Sequence, residues 1–211
     1  MIQILRQMIL LAGMTLASLA FANSNVLPPD QLVKQITQET YLYVNQDPLL
    51  QKGDTSKLIE WAEKSVVSSF DFQRMTRLAV GKDWRQATPE QQKQLVQEFR
   101  TLLIRTFSNA FIGISKNQTL EYLPFKMHDD QKDVVVKTLI IKPGVKPVDV
   151  NFSLEKGADG WRVYDVVLAG VSLITNYRES FTQEIRTNGI DGLIKQLADK
   201  NRQAGQKSKA S

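Results

Sequence analysis

One histidine, His128, and no cysteine in 211 residues leave little for covalent or metal chemistry. Zinc sites draw on clusters of Cys, His and carboxylate ligands. His128 stands alone beside Asp129 and Asp130 in a polar stretch that reads as a solvated turn. Neither a G-x-S-x-G elbow nor a glycine-rich phosphate loop occurs. The nearest approach to a proton-transfer pair is Tyr164-Asp165, with Tyr122 a looser candidate. Neighbours on a strand point to opposite faces, so adjacency alone does not make Tyr164 and Asp165 a pair. Tyr164 is expected to pack, and Asp165 to face water or cap an edge. No catalytic residue, metal ligand or cofactor is expected, and the chain does not read as an enzyme.

The elements around these residues follow from periodicity. Val33, Ile36, Thr40 and Tyr43 fall at helical spacing, and Asp47-Pro48 closes that helix. Gly53-Asp54-Thr55 opens another, with Leu58, Ile59, Ala62 and Val66 on one face. A short helix lies within residues 70–81. Thr88-Pro89-Glu90-Gln91 is a capping box with proline at the first helical position. The helix it starts carries Leu95, Phe99, Leu102, Thr106 and Ala110 on one stripe, widened by Val96, Leu103 and Phe107.

The period then switches to two. Leu120, Tyr122 and Pro124 alternate with polar residues. Residues 133–141 are rich in β-branched side chains, and Val148, Val150, Phe152 and Leu154 alternate with polar neighbours. Residues 161–168 make a fourth strand. After Gly170 the helical period returns with Leu173, Tyr177, Phe181 and Ile185, breaks at Asn188-Gly189, and resumes with Ile190, Leu193, Ile194 and Leu197. The order predicts an α+β domain: an antiparallel, curved sheet of about four strands packed with helices, closing a cone around an apolar pocket.

The N-terminus reads as a secretory signal. Met1 and Arg6 supply positive charge, residues 8–19 are apolar, and Ala20-Phe21-Ala22 fits a cleavage site, so the mature chain begins at Asn23. The apolar run is shorter than the ~20 residues a membrane span needs. Loss of Arg6 lowers the net charge from +5 to +4, a mildly basic surface suited to an anionic membrane or acidic partner and not to nucleic acid. The chain divides into a signal peptide at 1–22, one domain at 23–203, and a basic tail at 204–211 expected to lack structure. Export without cysteine means that packing supplies the stability.

The last third is more specific. Asp165-Val166-Val167-Leu168-Ala169-Gly170-Val171-Ser172-Leu173 runs into Ile174-Thr175-Asn176-Tyr177-Arg178, with Phe181, Gly189, Gly192, Leu193 and Ile194 behind. Phe70-Asp71-Phe72 stands upstream. Gly81 and Trp84 precede Thr88-Pro89-Glu90-Gln91, and Phe99-Arg100 and Leu102-Leu103 follow. Over residues 30–200 this order strongly resembles the MlaC family, the toluene-tolerance auxiliary proteins. Ala169 departs from the pattern, where an acidic residue is expected before the glycine.

The resemblance implies an NTF2-like cone that holds phospholipid tails. It implies a periplasmic shuttle between an outer-membrane lipoprotein complex and an inner-membrane complex with an ABC transporter and an MCE-domain ring, in a system that maintains outer-membrane lipid asymmetry. The walls it implies are Phe99, Leu103 and Phe107 from the long helix, Val150, Phe152, Leu154, Val166 and Leu168 from the strands, and Val171, Leu173, Tyr177 and Phe181 from the junction after the sheet. Arg178 is the headgroup candidate, since a guanidinium can meet a phosphate bidentately; a surface ion pair with Glu179 or Glu184 is the other reading of it. Each apolar position read singly fits ordinary core packing equally well. A monomer is expected. The alternatives are an NTF2-like, isomerase-like enzyme and a ligand-free periplasmic adaptor.

Overall fold

The computed structural model describes residues 26–46, 50, 56–112 and 118–210. The expected signal peptide and its cleavage site, the Asp47-Pro48 helix stop and the Gly53-Asp54-Thr55 helix start lie outside them. Helix α1 spans Pro29–Gln46, α2 Ser56–Ser65, α3 Phe72–Val80, α4 Pro89–Ile112 and α5 Leu173–Ala210. Between α4 and α5 run β1 (Thr119–Tyr122), β2 (Asp133–Lys142), β3 (Val145–Gly157), β4 (Gly160–Leu168) and β5 (Val171–Ser172). Every neighbouring pair is antiparallel and the spatial order is the sequence order, so the sheet is the expected meander with one strand more. The fold class is α+β. Among the described residues no helix is long and apolar enough to cross a membrane.

Local chemistry sets the helix ends. The Asp71 side chain accepts from Arg74 N and caps α3. Thr88 and Gln91 form the reciprocal box: Thr88 N donates to Gln91 Oε1 at 2.9 Å, and Gln91 N donates to Thr88 Oγ1 at 3.2 Å. Ser172 Oγ accepts from Thr175 N and starts α5. Gly189, at φ 74°, kinks α5 where Asn188-Gly189 was expected to break it.

Two expectations are corrected. The buried stripe of α4 runs through Leu95, Phe99, Leu103 and Ile104, while Leu102 is half-buried and Thr106 is exposed. From Phe99 onward, steps of three and of four residues both give an apolar stripe, and packing selects four. Thr106 instead turns its hydroxyl back onto Leu102 O at 2.8 Å. The expected unstructured tail at 204–211 is helical through Ala210. Asn201 Nδ2 donates to Glu98 O at 2.9 Å, holding this last stretch of α5 to α4, and Gly205 passes close to Arg105.

Candidate functional site

Among the described residues the apolar interior has two main parts, beside a smaller cluster of Val44, Leu50 and Leu58. The helical part joins α3, α4 and α5 around Met75, Leu95, Phe99, Leu103, Phe181, Leu193 and Leu197. Phe99 meets Tyr177 and Phe181 edge-on, each with ring centroids 5.0 Å apart, which is the geometry aromatic quadrupoles prefer. The sheet part lies between one face of the sheet and α1. It gathers Val134, Val136, Val150, Phe152, Leu154, Trp161, Val163 and Val166 with Val33 and Ile36. Phe70 and Phe107 pack against both parts and form the seam between them.

The twelve candidate wall residues therefore divide. Phe99, Leu103, Tyr177 and Phe181 sit in the helical part, and Val150, Phe152, Leu154, Val166 and Leu173 in or against the sheet part, with Phe107 on the seam. Leu168 and Val171 go elsewhere. They flank the β4–β5 turn and are 46% and 58% exposed, so neither is an interior wall. Strand alternation continues past the point where the sheet still has a covering layer, and periodicity cannot register that. Arg178 is exposed on α5, and its Nε donates to Leu78 O at 2.9 Å. It thus ties α5 to the C-terminal turn of α3, an end where positive charge is favoured. This is not the Glu179 or Glu184 pairing that the sequence offered as one reading.

A groove of about 670 Å³ reaches the sheet part from outside. It runs between α1 and the β1–β2 edge, with Leu42, Tyr122, Leu123 and Phe125 on its walls and Val136 at its floor. Tyr122, Phe125 and Val136 also belong to the sheet part, so groove and interior share one apolar surface. Lys34 stands over the Tyr122 ring at 6.0 Å, and the Tyr122 hydroxyl shares a 2.7 Å hydrogen bond with Thr37. Alternation had marked Tyr122, but the α1 contribution from Val33, Lys34 and Ile36 was not legible. A helical repeat shows which face is buried, not what it is buried against. A second groove, about 640 Å³, mixes Glu63, Gln92, Lys93 and Arg100 with Trp84, Pro89 and Val96.

The polar candidates are accounted for by structure. Tyr164 donates to Asp133 Oδ1 at 2.8 Å, under the guanidinium of Arg74, which lies 3.6 Å over its ring and pairs with Asp133 and Glu155. Burial first, then the hydrogen bond to Asp133, hold the Tyr164 phenol above its ordinary pKa. For Arg74 burial opposes the charge, and the pairs with Asp133 and Glu155 outweigh it. Asp165 accepts from Ser172 Oγ at 2.6 Å, Val166 N at 2.8 Å and Ile174 N at 3.3 Å, fastening the start of α5 to β4. Tyr164 and Asp165 thus serve separate networks. His128 is exposed. Among the described residues no three His, Asp or Glu side chains gather as a metal site.

An antiparallel meander with one face under a helix, an apolar interior in two main parts and a side groove that shares its apolar surface define the α+β domain. The family model described as "MlaC protein" matches residues 34–199, and the chain belongs to the MlaC family. It is 23% identical over 172 residues, 80% of each chain, to the intermembrane phospholipid transport system binding protein MlaC of Haemophilus influenzae. It is 29% identical over 108 residues, about half of each chain, to the toluene tolerance protein ttg2D of Pseudomonas putida. Among solved structures it resembles a phospholipid-binding protein of Ralstonia solanacearum in complex with a phospholipid. That likeness has a TM-score of 0.77 and 34% identity, over 85% of this chain and 99% of that one.

Proposed function

We infer that this chain is a periplasmic phospholipid carrier that performs no catalysis. It shuttles lipid between an outer-membrane lipoprotein complex and an inner-membrane MCE-domain/ABC transporter complex that maintain lipid asymmetry. The observation that carries the reading is the likeness, at 34% identity and over nearly the whole domain, to a protein solved with a phospholipid bound. Residues 1–22 supply the export signal, and the mature chain acts as a monomer.

The physical problem is the transfer of grease through water. Each methylene of an acyl chain is worth about 0.8 kcal/mol of burial, so two chains of roughly fourteen methylenes amount to about 20 kcal/mol. A carrier must replace that burial, and the two-part interior provides the means. The helical part is held by its own rings, and the sheet part by its own ladder. Chains reach the seam between the parts, at Phe70 and Phe107, and lie against Val150, Phe152, Leu154 and Val166 on one side and Phe99, Leu103, Tyr177 and Phe181 on the other. The α1 groove is the mouth, because its floor is already the sheet part. There Lys34 offers its ammonium to the lipid phosphate and Tyr122 keeps its ring apolar and its hydroxyl wet.

Transfer of a fluorescent phospholipid from donor to acceptor vesicles tests the function. The mature protein should raise the rate in proportion to its concentration. A rate equal to that of vesicles alone contradicts the carrier reading.

A further inference from the structure

We propose that the projecting end of the sheet is a docking surface for an anionic lipid bilayer. The register defines that end. Val150 is the last β3 residue paired on both sides, with Thr138 on β2 and Leu168 on β4. The five residues from Val145 to Asp149 continue beyond it, joined to β2 and to β4 only through the Ala169 N to Asp149 O hydrogen bond. At the rise of an antiparallel strand, the β2–β3 hairpin reaches about 17 Å past the last β3–β4 rung.

What this end exposes is specific. Val145 is 54% exposed at the apex, and Leu168 and Val171, 46% and 58% exposed, stand at the foot beside Asp149. Lys142 and Lys146 flank Val145 and are exposed. Glu121, paired with Leu139, and Asp149 lie at the foot, while residues 141–147 at the apex hold Lys142 and Lys146 and no carboxylate, so the apex is net positive. Small aliphatic side chains on convex tips can enter the boundary between headgroups and acyl chains. Lysines beside them keep their ammonium groups at the phosphates, and an anionic leaflet attracts them.

A protein partner fits less well. Protein interfaces are enriched in aromatic residues and arginine and depleted in lysine. Residues 139–149 and 167–172 hold no aromatic residue and no arginine. A second copy adding a strand to the free edge of β3 is opposed by Pro147, which lacks an amide hydrogen, and by Lys146. Surface docking needs no lipid inside the protein, so the proposal goes beyond the carrier reading.

Flotation of the mature protein with vesicles tests it. Wild type should float with phosphatidylglycerol/phosphatidylethanolamine vesicles, be released by salt, and stay behind with phosphatidylcholine vesicles. Each lysine near an anionic surface contributes about fivefold, so K142Q/K146Q should weaken binding about twenty-five-fold. V145D should weaken it further still when combined with that pair. Bound phospholipid, extracted from the same preparations, should be unchanged in all variants. The proposal is overturned if wild type does not float, if it floats equally with neutral vesicles, or if the double variant floats like wild type. Variants that float normally but lose transfer to intact membranes would assign the hairpin to a protein receptor, which also overturns it. Absence of extracted lipid in wild type counts against the carrier reading alone, because flotation decides the docking surface separately.

Discussion

Phe152→Ala separates a pocket wall from an ordinary core residue. The ring is 8% exposed and stands in register between Val136 on β2 and Val166 on β4. Truncating a phenylalanine this well buried costs about 3–5 kcal/mol in a protein with nothing to fill the space. If an acyl chain lies against this face, it can follow the lost ring. Two or three methylenes at about 0.8 kcal/mol each would restore about 2 kcal/mol. The variant should therefore lose about 3–5 kcal/mol in lipid-free protein and about 1–3 kcal/mol in lipid-loaded protein. Met75→Ala, in the helical part at 0% exposure and not itself a candidate wall, should cost about 2–5 kcal/mol in both states. Urea midpoints with a common m-value measure each difference. Lipid binding stabilises every variant by mass action, so the comparison is made within each state. Equal destabilisation of Phe152→Ala with and without lipid would refute the wall assignment.

Three further expectations concern the scaffold. Ala169 and Gly170 form a two-residue turn with φ 50° and 83°, and left-handed backbone strains alanine. Ala169→Gly or Ala169→Asn should stabilise by about 0.5–1 kcal/mol, raising Tm by a few degrees in calorimetry; a lower Tm contradicts this. Arg178→Ala loses its hydrogen bond to Leu78 O and should cost about 0.5–1.5 kcal/mol in urea unfolding while extracted lipid stays constant. Lost lipid at full stability would return Arg178 to the headgroup. The folded pKa of Tyr164 is raised by burial and then by Asp133, so the stability it contributes is intact below its unfolded value of about 10 and lost as pH rises through the folded value. Tyr164→Phe should remove that part of the alkaline loss, followed by urea midpoints across the alkaline range; an unchanged profile contradicts it.

Much of the fold was legible because its signals are local. The Thr88–Gln91 box, the alternation through Val150, Phe152 and Leu154, and the break at Gly189 each depend on a few consecutive residues. The two-residue β5 was not legible, since Val171-Ser172 is too short to show a period and reads as a turn into α5. The site was legible only in composition. Periodicity marked Phe99 and Phe152 as inward-facing, but their assignment to different parts of the interior depends on which element covers which, a tertiary property. Leu168 and Val171 show the converse, apolar residues in a regular strand and turn whose covering layer has ended. Ala169 was legible as a departure, and its positive φ gives the reason: an Asp-Gly or Asn-Gly pair suits a turn with two left-handed residues better than Ala-Gly does.

The central claim is that the interior holds phospholipid, and the direct measurement is of what the purified protein contains. Mature protein prepared without detergent should yield, on organic extraction and mass spectrometry, phospholipid near one molecule per chain. An empty extract, repeated after incubation with liposomes, would contradict the account.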